Sequence, residues 1–209
     1  MTDPDQEAPT TAVRTTRETI LAQAERIFAE LGFPGASLDD IARAVGIRRP
    51  SVLHHFASKR EIYDAVEASF FADLQAHIMA RGQAASAMDQ MHMLLGAWLD
   101  FMVARPTAAR IIMRNSCDLV SRTGDPVKFS DAFLREFEEI IREGQRTGQF
   151  QPVEPMLALN ILGGAILQFV CVAQQLGEER NYDPSDPATK ARFRDLLEQA
   201  ARALLARGQ

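Results

Sequence analysis

Nowhere along the 209 residues do apolar and polar side chains alternate with the period of two that a half-buried strand requires. Spacings of three and four recur instead from end to end. The chain therefore reads as all-α. Hydrophobic residues make up 46% and charged residues 24%, enough apolar surface for a buried core, so wholesale disorder and low-complexity architectures are excluded.

The ends of these helices are written in capping residues. Thr15 and Glu18 form a capping-box pair before a helix that places Ile20, Leu21, Ala24, Ile27, Phe28 and Leu31 on one face, with Gly32 as its stop. Ser37 and Asp40 repeat the signature before Leu38, Ile41, Ala42 and Val45, and Gly46 ends that short helix. Pro50 suits the start of a third helix, running to about Phe56, because its missing N–H is not needed there. Ser58 caps a longer fourth helix from Lys59 toward Arg81, with Ile62, Val66, Phe70 and Leu74 facing inward.

Beyond a spacer at 82–86, Met88, Met91, Leu95, Trp98 and Met102 form the stripe of a mostly buried helix, broken at Arg105-Pro106. A shorter helix passes through Ile111, Ile112 and Met113. Gly124, Asp125 and Pro126 open another, carrying Phe129, Phe133 and Phe137; Pro155 opens the most apolar one, and Asp186-Pro187 the last, with Phe193, Leu196, Leu197, Ala200 and Leu204. The stretch between Glu154 and Glu178 has no charge and is long enough to span a bilayer. Asn160, Gln168, the Gly163-Gly164 pair and the acidic flanks assign it instead to the centre of a soluble bundle or a subunit seam.

The net charge of −5 conceals an uneven distribution. Between residues 14 and 60, eight Arg or Lys face five acids, an excess of three positive charges, so the remainder carries −8. Only the front of the chain suits a polyanion. Cys117 and Cys171 have no metal-ligand spacing and make no disulfide framework, and Asp3, Asp5 and Glu7 are unlike a secretory signal, so a cytoplasmic location is expected.

Within the basic front, residues 37–56 specify two short helices about a tight turn: Ala42 permits close crossing, Gly46 can take positive φ, and Ile47 with Val52 plugs the angle. Arg48, Arg49, Ser51, His54 and His55 are left facing outward. Arginine can grip a guanine edge or a phosphate with two donors, serine can bond either, and histidine can donate to phosphate oxygen. Lys59 and Arg60 stand at the start of the next helix, where backbone N–H groups also face anions. A short amphipathic helix pair with surface arginines is the alternative reading of the same pattern.

The stretch SLDDIARAVGIRRPSVLHHFASKREIYDAV, residues 37–66, closely resembles the DNA-binding domain of the TetR family of bacterial transcriptional regulators. The resemblance covers residues 14–81. It implies a tail over 1–13, a three-helix helix-turn-helix domain with its connecting helix over 14–81, and a larger helical ligand-binding and dimerisation domain over 82–209. It further implies that Ser37 caps its helix and touches phosphate, that 48–55 face the groove with Arg48, Arg49, Ser51, Val52, His54 and His55 as contacts, that Lys59 meets phosphate and that Phe56 is core. The chain departs from the pattern at Leu53, where the family usually has a tyrosine whose hydroxyl reaches DNA, and at Pro50, where a small residue is frequent.

The same resemblance implies a homodimeric, effector-responsive regulator, most often a repressor in this family, on a palindromic operator of double-stranded DNA. The dimer seam is expected on the helices at 125–146 and 155–176. Candidate effector contacts are the apolar Trp98, Phe101, Met102, Met113, Phe133, Phe137 and Phe169, and the polar His92, Asn115, Cys117 and Gln168, since a polar group in a greasy segment needs a partner. A mostly apolar effector is expected. No ligand spacing among the histidines and cysteines suggests a metal, no cofactor is implied, and no nucleophile elbow, phosphate-cradling loop or E-x-x-H pair suggests an enzyme. The competing reading is a helical ligand- or partner-binding protein that does not read DNA, motivated by Leu53 and the acidic total charge.

Overall fold

The computed structural model describes residues 15–80, 82, 84–117, 131–173 and 177–207, and the regular structure among them is nine helices. The chain divides into two compact units, Met1–Val66 and Glu67–Gln209. The expected tail over 1–13, the helix start at Gly124 to Pro126, Phe129 and the side chain of Cys117 lie outside the described residues.

In the first unit, α1 (Thr16–Gly35) opens with the expected capping box: Glu18 N–H donates to Thr15 Oγ1, and Thr15 N–H to the Glu18 carboxylate. Gly32 at φ 71° kinks it, so Pro34 sits on a separate turn where its lost N–H breaks no continuous ladder. The face is narrower than the sequence pattern suggested: Ile20, Ala24, Phe28 and Ala29 are buried, but Leu31 is exposed at the kink. α2 (Leu38–Val45) packs on α1 and α3 (Arg49–His55) packs on α2. The core is Ile41, Ala42, Val52, Phe56, Ile62 and Tyr63, with Phe28 and Phe33 edge-on to Tyr63. The division between the units falls inside α4 (Lys59–Met79).

In the second unit, α5 (Ala87–Ala104) is central and packs against α6 (Pro106–Cys117), α7 (Asp131–Arg146), α8 (Pro155–Cys171) and α9 (Pro187–Leu205). Its Met91, Leu95, Leu99 and Met102 are buried, as an all-round apolar helix demands. Gly163 lets α8 approach so closely that a Cβ there would land on the Trp98 ring. Phe169 of α8 stacks on Phe193 of α9, centroids 4.0 Å apart, and Asp100 of α5 accepts from Arg194 and Lys190 of α9 at 2.6 and 3.2 Å.

The expected inward face of α9 is corrected. Of the expected residues Leu197 is buried, but Leu196 and Ala200 face outward, and Ala201 and Leu205 complete the buried stripe. No helix among the described residues is long and apolar enough to cross a membrane.

Candidate nucleic-acid interface

Local chemistry builds the turn between α2 and α3. Ser37 Oγ accepts from Asp40 N–H at 3.1 Å and donates to Asp40 Oδ2 at 2.5 Å, while Ser37 N–H donates to the same oxygen at 3.2 Å. The Ser37 hydroxyl, reinforced by Arg43, holds the Asp40 carboxyl below its usual range. Both donors of Ser37 are thus engaged in the cap, and a phosphate could recruit one only by displacing Asp40. At the other end Gly46 adopts φ 78° and its N–H reaches the Arg43 carbonyl, while Ile47 N–H reaches Ala42, closing the double bond pattern of a helix that stops on glycine.

The turn aims α3. Arg48 caps it through its backbone carbonyl, which accepts from Ser51 N–H at 2.9 Å, and Pro50 lies in the first turn. Val52 is 0% exposed and belongs to the core, so the expected DNA contact at Val52 is corrected: the plug role excludes the groove role. Arg48, Arg49, Ser51, Leu53 and His54 are exposed and His55 is half-buried. Arg49 pairs with Asp39 of α2 at 3.1 Å, both side chains more than half exposed. Such an exposed pair contributes about 0–1 kcal/mol and yields readily to a better anion.

Lys59 is differently placed. Its ammonium donates to the carbonyl oxygens of Phe33 and Ala36 at 2.7 and 2.8 Å and lies 4.5 Å from the Phe33 ring centroid, which ties α4 to the end of α1. Two of its three N–H donors are engaged within the unit. Sequence reasoning missed this, because the partners are backbone atoms 26 and 23 residues away. Arg17, over the Phe56 ring at 4.7 Å, and Arg60, paired with Asp64 at 2.8 Å, add exposed positive charge.

The expected effector contacts scatter. Phe101, Met102, Phe133, Phe137 and Phe169 are buried core, and Met113 is half-buried. Gln168 is exposed, which corrects its reading as a buried polar pointer: it lies on the outer face of α8. Asn115 donates to Glu67 Oε1 at 2.6 Å. Trp98 Nε1 and His92 Nε2 are buried with no hydrogen-bond partner among the described residues. The bundle holds a cavity of about 370 Å³ with Ile78, Met93, Leu94 and Ile140 on its apolar side and Gln90, Glu136, Glu139 and Glu143 on its polar side. A second, of about 280 Å³, lies between Arg110, Cys171 and Asp183. None of the expected effector residues whose side chains are described lines either one. Among the described residues no three His, Cys, Asp or Glu gather as a metal site.

Residues 20–66, which span most of the first unit, match the bacterial regulatory proteins of the tetR family. The chain is 27% identical over 191 residues to the HTH-type transcriptional repressor DhaR of Mycobacterium sp. (strain GP1), covering 87% of this chain and 92% of that one. Its first unit carries the DNA-binding domain of the tetR family. The fold agrees: a tetR-family protein from Shewanella sp. PV-4 superposes with TM-score 0.74 at 21% identity, over 93% of this chain and all of that one. AibR, solved in complex with isovaleryl coenzyme A and operator DNA, superposes with TM-score 0.69 at 18% identity over 91% of this chain and 98% of that one. TetR-family members are DNA-binding transcriptional regulators, not enzymes, and this chain carries their helix-turn-helix with α3 as its outward helix.

Proposed function

We propose that this TetR-family regulator is a cytoplasmic homodimeric repressor that holds a palindromic operator with α3 of each subunit and releases it when a small, mostly apolar molecule enters the second unit. The observation that carries the DNA half is the division of α3: Val52 inside, and Arg48, Arg49, Ser51 and His54 outside, within the stretch 14–60 that has an excess of three positive charges. Outward arginines beside a serine and histidines supply both phosphate and base-edge donors. A two-fold dimer then sets half-sites about 34–36 Å apart, or a multiple of it.

The seam is better placed on α8 and α9 than on α7 and α8. The outer face of α7 is ionic, with Arg135, Arg142 and Arg146 paired to Asp131, Glu138 and Glu143. By contrast Leu157 (61% exposed), Ile161 (56%) and the open Gly164 line the outer face of α8, and Leu196 (62%) with Ala200 that of α9. Adjacent exposed leucines and isoleucines call for a covering surface, and a self-complementary patch is what a two-fold axis provides.

The effector half is supported by the cavities within the bundle, the one of about 370 Å³ being apolar along Ile78, Met93, Leu94 and Ile140. The relative AibR was crystallised with an acyl-coenzyme A and with operator DNA. A fluorescence titration of the full chain against the DNA flanking its own gene, in moderate salt, tests the reading. Saturable binding that a scrambled duplex does not reproduce supports it, and equal binding of both duplexes overturns it.

A further inference from the structure

Leu53 is 41% exposed on a seven-residue helix whose neighbouring Val52 is fully buried. Pro50, three residues earlier and also exposed, lies beside it, since positions three apart share a helix face. Together they make a small exposed apolar patch on α3, in the same short stretch as the exposed Arg48, Arg49 and His54. No part of the unit's core requires Leu53 there, and leucine has no hydrogen-bonding group with which to grip a phosphate or a base edge. In a major groove the apolar feature that distinguishes one base from the others is the C5-methyl of thymine.

We propose that Leu53 is a specificity-determining residue that reads a thymine methyl in each operator half-site. This rests on the proposed insertion of α3 into the groove and goes further, because it names the base and the atom. The flanking cations hold the helix against the backbone, and the patch then selects against duplexes that offer a cytosine or a purine at that position. Burying one methyl against leucine is worth about fourfold in affinity per half-site.

The test uses the full chain. A duplex is first selected from a randomised library, and each thymine of its half-site is then replaced symmetrically by deoxyuridine, which keeps the base pair and removes only the methyl. Affinities are measured by fluorescence anisotropy for the native protein and for Leu53→Ala, whose folding is checked by thermal unfolding. At one symmetric pair of positions the native protein is expected to lose about fourfold per half-site, and Leu53→Ala to be indifferent to the swap there. If deoxyuridine is tolerated everywhere by the native protein, or weakens Leu53→Ala as much as the native protein, the assignment to Leu53 is overturned while groove binding stands. If no duplex is enriched, the DNA-reading role falls and this inference with it.

Discussion

The side-chain amide of Asn115 donates to Glu67 Oε1 at 2.6 Å, joining α6 to a carboxylate on α4 that is only 5% exposed. A buried acceptor that loses a donor is costly. Asn115→Leu is expected to destabilise the protein by about 1–3 kcal/mol in urea unfolding. Asn115→Asp should cost more at neutral pH, because it sets two carboxylates together, and should recover part of the loss on acidification toward pH about 4.

The imidazole of His92 sits between α5 and α9 with Nδ1 3.5 Å from the Arg202 guanidinium and 3.9 Å from Glu198 Oε2. Desolvation is the main reason its pKa lies below the ordinary 6.5; Arg202 pushes the same way, and Glu198 and Asp89 oppose. As pH falls, the unfolded chain therefore takes the proton first. The stability due to neutral His92 is complete above pH about 6.5 and declines below it, toward the folded-state value. Unfolding in urea at pH 7.5 and 5.5 should show a larger acid loss for the native protein than for His92→Gln. Equal losses would exclude His92 as the source.

Gly163 and Gly164 are adjacent in sequence and opposite in consequence. Gly163→Ala forces a methyl into the Trp98 ring and is expected to cost about 1–3 kcal/mol. Gly164→Ala meets nothing within 4 Å among the described residues of its own chain and should leave the fold of the subunit unchanged or slightly stabilised, through helix propensity. Trp98 is the one tryptophan of the chain, so its emission reports on the packing directly, and only the first variant should shift it.

Lys59 and Arg48 separate support from contact. Lys59→Met removes two charge-assisted bonds to Phe33 and Ala36 and is expected to lower stability by about 1.5–3 kcal/mol. Arg48→Ala, at an exposed position, should leave stability within about 0.5 kcal/mol. It should flatten the dependence of DNA affinity on salt by about one per half-site. Thermal melts and salt titrations of both variants check this.

Leu157→Arg and Leu196→Arg test the proposed seam. Each places a charge on an outward apolar face without touching the core. Sedimentation equilibrium should show a shift toward monomer, with loss of operator affinity in parallel; an unchanged dimer would move the seam elsewhere.

Much of the first unit is legible in the sequence because its signals are local. The Thr15–Glu18 and Ser37–Asp40 boxes, the positive φ of Gly46 and the Pro50 start each depend on residues within four positions. The misreadings occur where the deciding neighbour is distant. Periodicity reveals a stripe on α9 but not which of its edges is covered, so Leu196 is exposed beside the buried Leu197. The bonds from Lys59 to the carbonyls of Phe33 and Ala36 are not legible because those partners are distant in sequence, and Gln168 reads as buried because the apolar run around it hides the outer face of α8. Val52 reads as a groove contact by its position in the segment, although its place in the α2–α3 angle already makes it a plug.

Entry of α3 into a major groove is the central claim. Protection of guanine N7 from dimethyl sulfate, read at nucleotide resolution on a selected operator, tests it most directly, because N7 lies on the major-groove edge. Protected guanines are expected in two symmetric clusters a helical turn or a multiple of it apart, with the protection lost in Arg49→Ala. Bound DNA whose guanines all stay reactive, or whose protection is unchanged in that variant, would contradict it.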